Sequence, residues 1–279
     1  MTKAILYEQH MHTPLCNHAF GEPAEYAAAA ERRNLQGIVV TCHNPPNDDW
    51  SPTVRMRLDE FDEYVTLVEE ARQIWAGRVD VRLGIESDYV PGQEPWLEQL
   101  HGMAEFHHVL GSVHPHLPQY QQRYFDGDPA NFQRTYFDHL AQAAETGLFD
   151  TLGHPDLVKN SFPSEWDVER LIDMICLTLD RIAVTGTAME LNTSGLHKPV
   201  PEMNPAPRIL REMKLRDIPV VIGADAHRPE RVAADFELAL DTLTTAGYTH
   251  VSNFLNRQRR DVPIEMARAS LCSPNQGEL

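Results

Sequence analysis

The sequence has 279 residues and a formal net charge of −17 at pH 7, with 42% hydrophobic and 23% charged residues. This composition is ordinary for a globular protein, and no apolar run approaches the roughly 20 residues of a membrane-spanning helix. The negative charge argues against a nucleic-acid partner, because binding to the phosphate backbone depends on lysine and arginine. A small phosphorylated ligand is still possible, since bound divalent cations make a site locally positive.

The cysteines and the N-terminal segment bear on the cellular compartment. The four cysteines have neither CxxC spacing nor the spacing pattern of a disulfide-bonded protein; they are Cys16, Cys42, Cys176 and Cys272. The first residues, MTKAILYEQH, lack the long apolar stretch of a signal peptide. We therefore predict a cytoplasmic protein, while the sequence leaves the oligomeric state open.

Strand-like segments alternate with helix-like segments, which predicts parallel βα units with right-handed crossovers. Seven strands are predicted at residues 4–12, 37–43, 79–88, 107–114, 149–154, 188–194 and 219–227, with a further, final strand at 250–255. Helices are predicted at residues 23–33, 59–75, 132–145, 168–180, 207–215 and 232–246. No linker or repeat divides the chain, so one domain over residues 1–279 is expected.

Two turn-rich loops follow predicted strand ends, at residues 44–52 and 119–130. Long loops at the mouth of a barrel often carry function, so both could form a lid or a substrate rim. An ordinary surface connection is an equally good interpretation of either loop.

Nine potential metal ligands fall at or just after the ends of the seven predicted strands. In a barrel of parallel strands, side chains at the C-terminal ends converge on one mouth. Imidazole nitrogens suit zinc, iron and manganese, and carboxylates can bridge two ions, so nine ligands predict two or three ions. The nine residues are His10, His12, His18, His43, Glu86, His114, His154, Asp225 and His227.

The alternating faces of a strand refine this prediction. His10 and His12 are two residues apart and should point the same way. Cys42 should point away from His43, which predicts a core residue and not a thiolate ligand. His116 shares a face with His114 and could reach the site. Surface or packing roles are predicted for the remaining six histidines, His101, His107, His108, His139, His197 and His250.

Seven ordered motifs carry a resemblance to a known family. They are HMHTPLCNHA from residue 10, TCHNP from 41, LGIESDYVPG from 83, LGSVH from 110, GHPDLVK from 153, ELNTSGL from 190 and ADAHRPERV from 224. Together they resemble the PHP (polymerase and histidinol phosphatase) superfamily, and most of all its monofunctional histidinol-phosphate phosphatases. HTPLCNHA and ELNTSGL favour the phosphatase branch over the polymerase-associated domains of much longer chains.

The resemblance implies a distorted (β/α)7 TIM-like barrel, the PHP fold, with three divalent ions of zinc, iron or manganese. It places the first ion among His10, His12, Glu86 and Asp225. Glu86 would bridge to a second ion held with His114 and His154, and the third would lie among His18, His43 and His227. The implied activity is hydrolysis of L-histidinol phosphate to L-histidinol and phosphate, in histidine biosynthesis.

Two departures from the family pattern stand out. Gln9 precedes the HxH motif where an aromatic residue is common, which should alter packing in a tolerable way. Pro115 and His116 follow LGSVH where an apolar residue is more usual. The second departure could change the rim of the substrate pocket.

The expected mechanism uses the ions to grip the phosphate and to lower the pKa of a bridging water, which gives hydroxide for in-line attack. His116 and Asp225 are the expected catalytic residues. The proton for the leaving alkoxide could come from His116 or from a metal-bound water, and the sequence does not decide between them.

Five further residues are candidates for binding substrate. Lys159 and Arg228 lie just past ligand-bearing strand ends and could hold phosphate, or they could be solvated surface charges. Asn192 and Ser194 could hydrogen-bond substrate or cap the turn at Gly195. Asp88 could bind the substrate ammonium, although a structural role is more common for an aspartate at a strand end.

The sequence also allows two other functions. The chain could be a PHP phosphoesterase for another small phosphate ester, such as a nucleotide. It could also be a non-catalytic PHP module that serves as a metal-stabilised partner domain. The intact set of nine ligands disfavours the second alternative.

Overall fold

The computed structural model describes residues 3–48 and 50–271. Its main sheet has seven parallel strands hydrogen-bonded in chain order, as the βα alternation predicts. Short, wholly buried runs such as GIVV of the second strand suit a parallel sheet covered on both faces. The strands are β1 (Tyr7–Glu8), β2 (Gly37–Val40), β3 (Asp80–Asp88), β4 (His108–Ser112), β5 (Thr151–Leu152), β6 (Ala188–Asn192) and β7 (Val220–Gly223).

Helices follow most of these strands and pack their apolar faces on the sheet. α6 is entered at Asp167, whose carboxylate accepts hydrogen bonds from the amides of Glu169 and Arg170 and so satisfies the first helical turn. The helices are α1 (Pro23–Arg32), α2 (Phe61–Ile74), α3 (Glu94–His101), α4 (Pro118–Tyr124), α5 (Pro129–Glu145), α6 (Val168–Ala183), α7 (Pro207–Leu215), α8 (Phe236–Ala246) and α9 (Ile264–Ser270).

The sheet closes into a barrel near the ligand-bearing end. Met11 and Ala226 form a parallel bridge, in which the His12 amide donates to the Ala226 carbonyl at 2.9 Å. The Ala226 amide donates in turn to the His10 carbonyl at 3.0 Å. The predicted (β/α)7 barrel is therefore confirmed.

Below this bridge, the carboxylate of Glu8 spans the seam between β1 and β7. It accepts hydrogen bonds from the backbone amides of Gln9, His10, Ala224 and Ala233, at 3.0–3.1 Å. Glu8 is fully buried, so these four donors satisfy a carboxylate that would otherwise be costly inside the protein. One side chain thus ties the two strands that carry His10 and Asp225.

The predicted eighth strand exists but is not the last one. β8 (His250–Leu255) pairs antiparallel with β9 (Gln258–Pro263) in a separate hairpin. Phe254 packs with Ala188, the first residue of β6, and Leu255 packs with Tyr7. The hairpin therefore covers the end of the barrel opposite the predicted ligands.

The contacts of Gln9 show how the protein accommodates a polar residue before the HxH motif, where an aromatic residue is common in the family. Its side-chain amide donates to the Phe254 carbonyl at 2.7 Å and accepts from the Phe254 amide at 2.9 Å. Gln9 is completely buried, and its amide imitates a strand partner for the hairpin. A polar residue at this position therefore forms a specific contact between β1 and β8.

Several predicted boundaries and one predicted loop need correction. The prediction of a turn-rich loop at residues 119–130 is wrong, because α4 and the first two residues of α5 occupy most of it. α3, α9 and β9 were not predicted. Within the described residues, no helix is long and apolar enough to cross a membrane.

Candidate metal centre

All nine predicted ligands gather at the C-terminal ends of the barrel strands. Glu86 is fully buried at their centre, and its two carboxylate oxygens face different imidazoles. Oε1 lies 3.1 Å from Nε2 of His154 and 3.4 Å from Nε2 of His114. Oε2 lies 2.7 Å from Nδ1 of His43 and 3.5 Å from Nε2 of His10. This is the arrangement of a carboxylate that can bridge two ions.

Asp225 is the second carboxylate of the cluster. Its Oδ1 lies 3.0 Å from Nε2 of His12, 3.6 Å from Nε2 of His10 and 3.4 Å from Nδ1 of His227. As the strand periodicity predicts, His10 and His12 point into the same site. Met11 between them is fully buried in the core.

The remaining histidines complete a third group. His18 comes from the loop after β1, and its Nε2 lies 2.9 Å from Nε2 of His227. The ring of His227 stacks on that of His12 at 4.0 Å between centroids. Ligand atoms of His12, His43 and His227 all lie within 4.8 Å of one another. His43 therefore lies between this group and Glu86.

The charges of the cluster favour cation binding. Burial alone would raise the pKa of Glu86, but His43 and His10 hold it well below its usual value. Burial opposes ionisation of Asp225 too, yet His10 and His12 keep the pKa of its carboxyl well below the usual range. Burial and neighbouring His12 lower the pKa of His227 to about 3. The two carboxylates are therefore ionised at neutral pH, and they raise in turn the pKa of His10, His12 and His114, so divalent ions that bind these imidazoles must displace protons.

Buried polar atoms without partners show that the donor set fits metal ions. Within the described residues, Nε2 of His10, Nδ1 of His43 and Oε2 of Glu86 are buried and make no hydrogen bond. Oε2 of Glu86 lies 2.7 Å from Nδ1 of His43 and 3.5 Å from Nε2 of His10. Unsatisfied polar atoms are costly in a protein interior, and bound cations would satisfy them.

Two ligands have unusual backbone conformations. His154 has φ of 30° and Asp225 has φ of 49°, both in the left-handed region. Non-glycine residues rarely adopt such angles, and they concentrate at functional sites where the surroundings enforce them. At His154 the amide donates to Oε2 of Glu190 at 2.8 Å, which holds the turn in place.

A cavity of about 750 Å³ opens above the cluster. This volume lies within the usual range for small-molecule sites. The predicted loop residue Ser51 and, from α4, Gln119 line its rim, and their side chains are hydrogen-bonded at 3.2 Å. His116 also lines the cavity, 5.5 Å from His114 between ring centroids. Although His116 is exposed, partial desolvation beside the cavity and the neighbouring His114 and His154 lower the pKa of its imidazole.

The expectation that Lys159 holds phosphate is not supported by its position. Its side chain is completely buried and is not part of the cavity wall. Nζ donates to Oδ2 of Asp156 at 3.2 Å and to the Met203 carbonyl at 2.9 Å, with Glu202 at 3.3 Å. Lys159 is therefore a buried structural cation, neither a phosphate ligand nor a solvated charge.

Asp88 also has structural partners in place of a substrate ammonium. Its carboxylate accepts two hydrogen bonds from the Arg55 guanidinium, both at 2.9 Å, and lies 2.7 Å from Nδ1 of His114. Trp50 Nε1 donates to it at 3.0 Å. Although burial opposes ionisation, Arg55 and His114 lower the pKa of Asp88. Asp88 therefore lies where it can orient the His114 ring.

Asn192 and Ser194 form the hydrogen bonds of a capped turn, the predicted alternative to substrate binding. Oδ1 of Asn192 accepts from the Ser194 amide at 2.9 Å and from its hydroxyl at 2.6 Å. Ser194 also approaches Oδ2 of Asp225 at 3.1 Å, so it contacts the cluster although it does not line the cavity. Arg228 is exposed and stacks on Phe20 at 4.3 Å, outside the cavity wall.

Three residues near the site were missed by sequence reasoning. Arg55 and Lys198 line the cavity, and Lys198 Nζ donates to the Ser194 hydroxyl at 2.9 Å. Glu190 is buried with Oε1 at 2.6 Å from Nδ1 of His10. Glu190 and Lys198 lie in or just after the motif that starts at residue 190 and could have been considered. Arg55 lies in an irregular segment that gives no such signal.

Comparison with known proteins gives a consistent result. The PHP domain family model matches residues 8–194. The probable histidinol-phosphatase of Deinococcus radiodurans is 38% identical over 249 residues, covering 87% of this chain and 94% of the relative. The histidinol-phosphatase of Bacillus subtilis is 24% identical, covering 83% of this chain and 97% of that protein.

Solved structures show the same fold. The histidinol phosphate phosphatase of Lactococcus lactis, complexed with zinc, L-histidinol and phosphate, superimposes with a TM-score of 0.78 at 18% identity. The alignment covers 93% of this chain and all of that one. The structure described as a putative histidinol phosphatase from Listeria monocytogenes gives a TM-score of 0.74 at 19% identity, over 83% of this chain and 99% of that one.

Proposed function

The chain belongs to the PHP domain family, and from that premise we propose that it hydrolyses L-histidinol phosphate to L-histidinol and phosphate in histidine biosynthesis. The observation that carries the proposal is the nine-residue cluster at the floor of the cavity, with Glu86 facing histidines on both sides. The 38% identity to a probable histidinol-phosphatase, over 87% of the chain, supports the substrate. The proposed location is the cytoplasm.

We propose three divalent ions, of zinc, iron or manganese, as the cofactors. His10, His12, Glu86 and Asp225 would hold one, Glu86 with His114 and His154 a second, and His18, His43 and His227 a third. When bound, such ions supply a hydroxide nucleophile at neutral pH and neutralise charge on the phosphate. The carboxylates offset about two of the six positive charges, so the site would attract a phosphomonoester dianion.

Lys198 and the cavity wall would position the substrate. Lys198 Nζ lies 3.7 Å from Oδ2 of Asp225, at the edge of the cluster, and could turn from Ser194 to a phosphate oxygen. Arg55 is held by Asp88 and adds a fixed positive charge to the same wall. Preorganised charges of this kind stabilise a transition state without having to reorganise.

We propose His116 and Asp225 as the catalytic residues, and their contacts specify what each one does. Asp225 acts as a ligand and, through its contact with Ser194, lies next to Lys198. The lowered pKa of His116 favours a neutral imidazole at neutral pH. A neutral ring accepts a hydrogen bond from the substrate more readily than it protonates the leaving alkoxide.

The experiment that tests this function is phosphate release from L-histidinol phosphate, compared with nucleoside monophosphates and an aryl phosphate, after reconstitution with zinc or manganese. We expect a preference for histidinol phosphate of about a thousandfold in kcat/KM, or roughly 4 kcal/mol. Equal, weak rates on all esters would contradict the substrate while preserving the phosphoesterase chemistry. No release from any ester would contradict both.

A further inference from the structure

Four of the seven imidazoles of the cluster share a pattern on the side that faces away from the proposed ions. A metal-bound histidine usually donates its other ring N–H to an oxygen acceptor, which fixes the tautomer and orientation of the ring. Four of the proposed ligands have such an acceptor within 3.0 Å. The pairs are His10 with Glu190, His114 with Asp88, His18 with the Cys16 carbonyl and His227 with the Asp225 carbonyl.

His12 differs from these four histidines. Its Nε2 turns to Oδ1 of Asp225 at 3.0 Å, so Nδ1 is its outer nitrogen. His12 is only 1% exposed, and within the described residues its Nδ1 has no hydrogen-bond partner by the usual geometry. The ring instead has sulfur beside it, because ligand atoms of His12, Cys16 and Cys42 lie within 4.8 Å of one another.

Cys42 Sγ lies beside two hydrogen-bond donors of Thr13, and its own thiol donates to the Thr13 carbonyl, 3.7 Å away. The Thr13 amide donates to the sulfur at 3.4 Å and the Thr13 hydroxyl at 3.2 Å. Cys42 is completely buried, so water does not compete for the sulfur. Thr13 follows His12 in the chain, so the residue that donates to Cys42 is the direct neighbour of the proposed ligand. The sulfur therefore already acts as an acceptor in this part of the core.

We propose that Cys42 is a positioning residue of the metal centre, whose sulfur accepts a hydrogen bond from Nδ1–H of His12 and so keeps Nε2 as the ligand atom. The strand periodicity correctly turns Cys42 away from His43 and into the core. In the core, its sulfur lies beside the His12 ring, on the side that faces away from the proposed ions. This inference rests on the proposed metal centre and does not depend on the identity of the substrate.

The first test is a zinc titration of the metal-free protein against a chelating indicator, with no substrate present. Loss of a partner on the outer side of a ligand typically weakens metal binding 10- to 100-fold, and we expect about that loss in one zinc step for Cys42→Ala. Cys42→Ser keeps a hydroxyl acceptor and should lose only a few-fold. Cys176→Ala, a half-buried cysteine on α6, is the control and should titrate like wild type.

The second test reads the imidazole directly, by ¹⁵N-edited NMR of histidine rings in the zinc-loaded protein. We expect His12 to carry its proton on Nδ1, with a proton shift that moves when Cys42→Ser replaces sulfur by oxygen. This comparison does not need Cys42→Ala to fold. An Nδ1–H signal identical in wild type and Cys42→Ser, or wild-type zinc affinity in Cys42→Ala, overturns the proposal. Both measurements stand even if the protein hydrolyses no phosphate ester.

Discussion

At the scale of single residues, Glu86 connects the parts of the cluster, because each of its oxygens faces different imidazoles. The distances around it, 2.7–3.6 Å, are those of atoms that can share a small cation after slight adjustment. Removal of this one charge would affect at least two ion sites, whereas most of the histidines would each affect one.

We therefore predict that Glu86→Gln lowers kcat on histidinol phosphate by at least about a thousandfold, or roughly 4 kcal/mol. The neutral amide keeps the volume of the side chain but cannot bridge two cations. Metal content by mass spectrometry should fall in parallel. The control is Glu98→Gln on the exposed face of α3, which should match wild type. Full activity in metal-replete Glu86→Gln would refute the proposed centre.

Arg55 supports the cluster through Asp88. Both side chains are buried and form a bidentate ion pair, and removal of one partner leaves the other charge uncompensated. We predict that Arg55→Met lowers the free energy of unfolding by about 3–5 kcal/mol, measured by urea denaturation.

Two further variants test whether the loss of stability in Arg55→Met comes from the unpaired carboxylate of Asp88. Arg78→Met, at an exposed pair with Glu31, should leave the free energy of unfolding close to that of the wild type. The double variant Arg55→Met, Asp88→Asn should recover part of the loss, because no unpaired carboxylate remains. An additive, larger loss in the double variant would contradict this explanation.

At the scale of elements, the β8–β9 hairpin is tied to the barrel by polar and aromatic contacts. His108 of β4 stacks on Phe254 with centroids 5.3 Å apart and planes at 4°. Its Nε2 contacts the Thr151 hydroxyl at 2.9 Å. The ring is fully buried, and this burial lowers its pKa to about 3, with His10 adding to the effect.

This shift predicts a pH dependence of stability. In the unfolded chain His108 should titrate near 6.5, so between pH 6.5 and 3 the unfolded state binds a proton that the folded state does not. Stability is therefore lost as the pH falls through this range, by roughly 5 kcal/mol in total for this one group. Stability measured from pH 7 to 4.5 should fall less steeply in His108→Gln, which retains a polar partner for Thr151. Parallel curves for the two proteins would contradict a neutral His108.

The elements also show what sequence patterns can and cannot determine. Strand ends can be read from apolar runs followed by polar residues, so the positions of His43, Glu86 and His114 were predictable from local sequence. The environment of a charge after a strand end depends on distant segments. The role predicted for Lys159 as a phosphate ligand is wrong because Asp156 and Glu202 enclose it. For Asp88 the structural alternative holds, and the sequence could not decide it because its partner Arg55 lies 33 residues earlier. α4 was missed because PQYQQRY has little apolar periodicity.

At the scale of the whole molecule, the cluster links strands from the first to the last of the barrel. His10 and His12 follow β1 and Asp225 follows β7, where the sheet is joined by one bridge and by the Glu8 carboxylate. An ion held between these strands would reinforce the seam. Metal binding and folding should therefore be coupled, as they are whenever a ligand binds only the folded state.

We predict that removal of metal lowers the midpoint of thermal unfolding and that added zinc restores it in a concentration-dependent way. At a zinc concentration of 100 times the dissociation constant, one site contributes about 2.7 kcal/mol. Differential scanning calorimetry of the chelator-treated and zinc-loaded protein measures the change. His154→Ala should show a smaller zinc-dependent increase, while His250→Ala, exposed at the start of β8, should respond like wild type. A midpoint that is independent of zinc would contradict the coupling.

The most direct test of the metal centre is an anomalous difference map, at the zinc absorption edge, from crystals of the zinc-loaded protein. We predict three peaks at the mouth of the barrel. One should lie between Glu86 Oε1 and His114 with His154, one among Glu86 Oε2, Asp225 and the first two histidines, and one beside His18 and His227. The absence of peaks from this cluster, or a single peak that leaves Glu86 or Asp225 without a metal contact, would contradict it.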